Sequence, residues 1–286
     1  MKHTNMACHM DNILQQEALN IGLDERSRYL RKMAIKTLES GKRAHLGSAM
    51  SIMELIRFLY DDFLCYEISN PKDPNRDRFI LSKGHGCLAQ YVVLADKGFF
   101  DEKELLCFCQ ADSILGGHPE YGKIPGVEAS TGSLGHGISI GVGMALAAKL
   151  QNRKSRVIVL VGDGETNEGS VWEAAMSAAK HQLSNLTIII DYNKIQSYGF
   201  ISEVLGSEPM AEKWSSFGFA VEEINGHDIA AIQKSFSKLP FNVKKPTALI
   251  CHTIKGKGFS FAENNPTWHH KSNLSDAEIQ KMYDSI

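Results

Sequence analysis

Between residues 156 and 252, short β-branched runs alternate with helix-forming segments, and this alternation limits the possible folds more than any other feature of the chain. Arg156–Val161 and Leu186–Asp191 read as strands, with Gly169–His181 between them as a helix. A strand near Phe219–Ile224, a helix over about 228–238 and a strand at Ala248–His252 complete the series. Strands separated by helices predict an α/β fold: a mostly parallel sheet with right-handed crossovers and helices on both faces. The densest apolar runs, Val157–Val161 and Leu186–Ile190, are far shorter than the roughly 20 residues that span a bilayer, so a soluble protein with no membrane role is expected.

The earlier half is more mixed. Residues 1–10 read as a loose tail, and 11–286 as one α/β domain without repeat or linker. The apolar spacing from Asp11 to Ser40 predicts helix, broken near Gly22 and stopped at Gly41. Ser51 followed by Glu54 has the pattern of a capping box, predicting a helix over 51–64. Pro71 and Pro74 mark a loop between Asn70 and Asp77. Residues 116–143 are dense in glycine, and the small-residue run Gly141–Ala148 predicts a tightly packed, buried helix. With 43% hydrophobic residues the chain can build a sizeable core. A net charge of −2 gives no footprint for nucleic acid, so a phosphate-bearing ligand would need backbone amides, a metal or histidines. The six cysteines form no Cys-x-x-Cys pair, which suits reduced thiols in a cytoplasmic enzyme. Cys107 and Cys109, two apart on a helix, would point away from each other.

Ligands of open parallel sheets sit at the carboxyl ends of the strands. Gly162-Asp163-Gly164-Glu165 follows the strand ending at Val161 and opens a helix, whose free amides suit an anion. Asn193 stands 30 positions after Asp163, about one strand–helix–strand unit, so the crossover places both at adjacent strand ends. Mg²⁺ favours such a set of carboxylate, amide and carbonyl oxygens with phosphate oxygens, and Ca²⁺ or Mn²⁺ could take its place. Alone, Gly-Asp-Gly is more often a plain turn; with Asn193 it is a thiamine pyrophosphate signature. Lys255-Gly256-Lys257-Gly258 lacks the spacing of a nucleotide loop and instead leads the chain back over the diphosphate.

From about residue 25 to 272 the chain resembles the N-terminal, thiamine-pyrophosphate-binding half of transketolase, particularly forms divided over two polypeptides. The resemblance is carried by Ala44-His45-Leu46-Gly47-Ser48, Arg78 to Gly86, Gly117-His118-Pro119-Glu120, Pro125 to Gly137, the Gly-Asp-Gly motif and Trp268-His269. It implies that His45 and His269 flank the diphosphate and the reacting carbon, and that His85 and His118 bond the donor's C1 hydroxyl and C2 oxygen. Glu168 would join them among the catalytic residues, at the contact between the two chains. Implied cofactor contacts are His85, Gly132, Ser133, Leu134, Gly164, Glu165, Glu168, Asn193 and His269; implied metal ligands are Asp163, Asn193 and the Ile195 carbonyl. His270 beside His269 leaves the choice between them open, and His136 has equal claims as a site and a packing residue. His3, His9, His181 and His227 read as structural or solvated, and Trp172, Trp214 and Trp268 as packing. The chain departs from the family at Ala44 and Leu46, where glycine and proline are usual, at Ser133, where proline is common, and at Tyr192, where Asn is frequent. Each departure leaves the imidazole or metal oxygen in place.

The resemblance further implies ketol transfer between sugar phosphates, with pentose phosphates as the default. The second domain of the family, carrying the activating glutamate and arginines for the substrate phosphate, would come from a separate chain in a dimer of heterodimers. Two other enzyme readings are the α subunit of a 2-oxo-acid dehydrogenase first component and a deoxyxylulose-phosphate synthase relative. A non-catalytic cofactor-binding paralogue is the third; retention of Asp163, Asn193 and the site histidines argues against it.

Overall fold

The computed structural model describes residues 13–197 and 199–286, so the expected tail over 1–10 lies outside the described residues. Among the described residues seven strands form, β1 (Arg78–Leu81), β2 (Val157–Gly162), β3 (Leu186–Tyr192), β4 (Ile195–Gln196), β5 (Gly199–Phe200), β6 (Ala220–Asn225) and β7 (Thr247–His252). Five of them make one parallel sheet in the order β1-β2-β3-β7-β6, while β4 and β5 pair as a small antiparallel hairpin. β1, unassigned in the sequence, supplies one edge.

The β-branched runs are continuous because both faces of the sheet are covered. Val157, Val159 and Val161 point into one core with Ile188, Ile190 and Ile250; Ile158, Leu160, Ile189 and Leu249 point into the other. The helices are α1 (residues 13–20), α2 (Glu25–Gly41), α3 (Leu46–Met50), α4 (Met53–Phe58) and α5 (Cys87–Asp96), followed by α6 (Gly137–Leu150), α7 (Gly169–Lys180), α8 (Ile201–Val204), α9 (Met210–Ser216), α10 (Ile229–Phe236) and α11 (Asp276–Asp284). Residues of α2 to α5, α10 and α11 pack into the second core, and those of α6, α7 and α9 into the first. Among the described residues no helix is long and apolar enough to cross a membrane.

The break near Gly22 is real: Asp24 caps α2, its Oδ1 accepting from the Ser27 amide at 2.8 Å. Two expectations fail. The capping box at Ser51 does not form, because Ser51 ends α3 rather than starting a helix. Its hydroxyl donates instead to the Ser48 carbonyl at 3.1 Å and to Asp191 Oδ2 at 2.7 Å. Glu54 is fully buried and turns to the charge of Arg31, which a cap could not neutralise. The small-residue helix α6 is buried on one side only. Gly141 lets it lie on β2, where any Cβ would run into Val159. Its other side leaves Ile140 37% and Leu150 74% exposed. Ordinary surface helices carry polar groups there; this one presents an apolar stripe, beside Met176 of α7 at 55% exposure.

Candidate functional site

The sheet register sets the site. Gly162 pairs with Asp191 across β2 and β3, and Asp191 with Cys251 across β3 and β7, so three neighbouring strands end side by side. Asp163 and Asn193 follow the first two, and Lys255 lies three residues beyond the third. Asp163 accepts from the amides of Gly164 (2.7 Å) and Lys194. Asn193 Oδ1 accepts from the Ile195 amide at 3.1 Å, and its Nδ2 donates to Asp191 Oδ2 at 2.8 Å. The Ile195 carbonyl accepts from Lys255 Nζ at 2.7 Å.

Asp163 is buried with no ion-pair partner among the described residues. Burial, reinforced by the charge of Asp191, raises its pKa against the opposing pull of Lys255, as expected of a desolvated carboxylate beside a like charge. Burial and the Lys83 ammonium lower that of Lys255. No three His, Cys, Asp or Glu side chains among the described residues group as a metal cluster. A cation here would rely on hard oxygens, the Asp163 carboxylate, the Asn193 amide and the Ile195 carbonyl, which is a donor set that suits Mg²⁺. Asp191 is the hub beneath: it pairs with Lys83 and accepts from Ser51 and Thr253. Burial pushes its carboxyl up, but Lys83 and the two hydroxyls hold it below the usual value.

Beside this edge, Gln196 Nε2 and His269 Nδ1 are buried without a hydrogen-bond partner among the described residues. Buried polar atoms are nearly always satisfied, so both fit an anionic ligand such as a diphosphate. Gly164 approaches Gln196 so closely that a Cβ would lie 2.9 Å from Gln196 Cβ. Glu165 has both oxygens engaged, on Ser82, on the Gly135 amide (2.8 Å) and on the Gly162 amide (3.0 Å). It thereby ties the glycine loop to the ends of β1 and β2. Gly132 sits at φ +143°, and a Cβ there would meet His118 Cδ2 at 2.8 Å, so only glycine lets loop and imidazole touch. Ser133 is exposed, Leu134 partly so, and Glu168 is exposed at the start of α7.

The structure gathers five imidazoles. From the His45 ring, centroids of His85, His118, His269 and His270 lie at 5.2, 6.2, 5.4 and 4.5 Å. The open choice between the last two resolves into two positions. His269 Nε2 is 3.3 Å from Ser197 Oγ, beside the hairpin that follows Asn193. His270 instead lines a cavity of about 340 Å³ shared with His45, His85 and His118. His136 caps α6 in the open, outside this group. His181 is exposed at the end of α7, and His227 is buried and structural. The three tryptophans pack as expected, Trp172 5.2 Å from Trp214 and Trp268 4.8 Å from Phe261.

Burial, then the rings of His270 and His118, brings His45 down to about 4. Burial lowers His118, and burial with Lys83 takes His85 well down. The rings are therefore neutral at pH 7. Between pH 6.5 and about 4 the unfolded chain binds a proton at His45 that the folded one refuses, so folding stability falls with pH in that window. The thermal midpoint should drop from pH 6.5 to 4, and less steeply in His45→Asn; an equal slope in the variant would refute this.

Sequence reasoning missed Lys83, Asp191, Gln196 and Lys255. Lys255 had one usable signal: it stands at the same strand edge as Asp163 and Asn193. It is carried on the strap 253–258, which is held from below. Arg31 Nε donates to the Lys257 carbonyl at 3.0 Å, and His227 Nε2 accepts from the Ile254 amide at 2.9 Å. His227 Nδ1 in turn contacts Glu54 Oε2 at 2.8 Å, and Arg31 pairs with Glu54. Lys257 Nζ donates to the carbonyls of Ala18 (2.9 Å) and Leu19 (2.8 Å).

Comparison with known proteins agrees with this geometry. Residues 24–286 match the family model described as transketolase, thiamine diphosphate binding domain. An apulose-4-phosphate transketolase subunit from Phocaeicola vulgatus is 42% identical over 87% of this chain and 88% of its own length. The 6-deoxy-6-sulfo-D-fructose transketolase subunit SqwG of a Clostridium species is 36% identical over 87% and 91%. The transketolase structure from Leishmania mexicana superposes with a TM-score of 0.83 at 31% identity. Here 90% of this chain is matched, but it spans only 40% of that one. With its strand ends, glycine loop and histidines arranged as above, the chain belongs to the transketolase family and corresponds to that family's thiamine diphosphate binding domain.

Proposed function

We propose that this chain is the cofactor-binding subunit of a two-chain transketolase, which moves a two-carbon ketol unit from a ketose phosphate, or a similar anionic ketose, to an aldose. The observation that carries the reading is the placement of five imidazoles beside a strand edge bearing Asp163 and Asn193. Thiamine diphosphate, when bound, supplies the nucleophilic carbon and the electron sink. Asp163, Asn193 and the Ile195 carbonyl would hold its Mg²⁺, and His269, Gln196 and Lys255 face the place for its phosphate oxygens. Gly132, Ser133 and Leu134 would border the cofactor, with Gly164 beneath its diphosphate and Glu165 bracing the loop.

His45, His85 and His118 are neutral at pH 7, so each can accept a hydrogen bond or proton from a sugar hydroxyl or, as the other tautomer, donate one to a carbonyl oxygen. His45 and His85 are partly shielded from water, and His118 stands exposed beside them. Cleavage of a ketose between C2 and C3 needs both services at once. The exposed Glu168 and the apolar stripe of α6 face outward, the arrangement expected where a second chain completes the site. The Phocaeicola and Clostridium relatives are both named as subunits of transketolases, which supports that architecture. We take the assembly to be a dimer of heterodimers.

The test is to mix the chain with its partner chain and assay ketol transfer from a ketose phosphate against decarboxylation of pyruvate. Transfer without pyruvate turnover is expected; the reverse would favour the 2-oxo-acid dehydrogenase alternative. In the same complex, His118→Ala should lower kcat on the order of 100-fold while thiamine diphosphate still binds. Unchanged turnover would remove His118 from the mechanism.

A further inference from the structure

The cavity lined by His45, His85, His118 and His270 continues to Arg43 and Lys123, and among the described residues its lining contains no Asp or Glu. In a chain of net charge −2 such a lining is unusual. Desolvation lowers the pKa of His45, His85 and His118, so the permanent charge of the cavity rests on the two cations.

Arg43 stands two residues before His45, and Lys123 five residues after His118. Each cation is thus tied through a short stretch of chain to an imidazole at the reactive end. Lys123 makes one loose, exposed contact with Glu120 at 3.4 Å. Arg43 has no carboxylate partner among the described residues. Its guanidinium nevertheless acts on the thiol of Cys109, another lining residue, opposing the rise that burial causes. Arg43 and Cys109 line the cavity together, and both Arg43 and Lys123 are exposed at its rim. A planar guanidinium matches the oxygens of phosphate or sulfonate in a fork, and an ammonium adds a mobile point charge. A volume of about 340 Å³ is at the scale of small-ligand pockets.

We propose that Arg43 and Lys123 form an anion subsite that holds the phosphate or sulfonate end of an open-chain sugar whose reacting end meets His45 and His118. This rests on the ketol-transfer reading, and it makes the present chain, not only its partner, a determinant of which sugar is used.

The experiment uses the two-chain complex loaded with Mg²⁺ and thiamine diphosphate. Donors are fructose 6-phosphate, 6-deoxy-6-sulfofructose and the uncharged ketose erythrulose, all with glycolaldehyde as acceptor. In Arg43→Gln and Lys123→Gln the ratio of kcat/KM for an anionic donor over erythrulose should fall on the order of tenfold, mostly through KM, and Arg43→Lys should recover part of it. A fall shared by both anionic donors supports a common oxyanion grip; a fall confined to one assigns the subsite to phosphate or to sulfonate. An unchanged ratio, or an equal loss on charged and uncharged donors, would overturn the proposal. Should the wild-type complex turn over no donor, the ketol-transfer reading fails. Calorimetry with inorganic phosphate then decides the subsite: weakening on the order of tenfold in the double variant sustains it, and equal affinity overturns it.

Discussion

Asp163→Ala is expected to weaken Mg²⁺-dependent binding of thiamine diphosphate on the order of 100-fold or more, while the folded chain persists. The carboxylate is buried with no direct ion pair among the described residues, and burial with the Asp191 charge raises its pKa against the opposing pull of Lys255. Removing it should not destabilise the unloaded protein; with the cost of burying that carboxyl gone, the apo midpoint should hold or rise. The loaded protein should lose its ligand-induced gain, because stabilisation by a ligand scales with the logarithm of its affinity. Calorimetry with and without Mg²⁺, together with thermal melts, measures both arms. Undiminished affinity in the variant would refute Asp163 as a metal ligand.

Glu54→Gln should be the most destabilising single change outside the site, on the order of 3–5 kcal/mol. It leaves Arg31, fully buried, without a countercharge, and removes an oxygen that faces His227. Arg31 holds Glu54 well below the usual carboxylate range against the upward push of burial. The double variant Arg31→Met, Glu54→Met should cost less than either single change, since no orphaned charge remains. Denaturant melts of the wild type, Arg31→Met, Glu54→Met and the double variant form a double-mutant cycle; additive losses would show that the two charges do not depend on each other.

Much of this was legible in the chain itself, for identifiable reasons. Val157–Val161 and Leu186–Ile190 can be nothing but doubly covered strands once helices separate them, and a fixed crossover length carries Asp163 to Asn193. The histidines at 45, 85, 118 and 269 stand out by their place in motifs, three of them close to glycine. Hidden instead were pairings between distant charges. Nothing in the neighbourhood of Glu54 announces Arg31 and His227, so a serine three residues earlier suggested a cap. Lys83 and Asp191, 108 positions apart, meet only after the sheet has formed. Periodicity cannot tell a helix buried all round from one whose second apolar stripe is exposed, which is why α6 looked fully buried. The choice between His269 and His270 needed the turn Pro266–Trp268, which aims adjacent residues at different walls.

The fastening of the strap reaches outside the region that the family match covers. That match begins at residue 24, yet Ala18 and Leu19 anchor Lys257, and Gln15 Nε2 donates to the Thr253 carbonyl at 2.9 Å. A chain trimmed to the matched boundaries would keep all five clustered histidines and every candidate oxygen ligand while releasing the segment that carries Lys255. Cofactor retention, more than folding, would register such trimming.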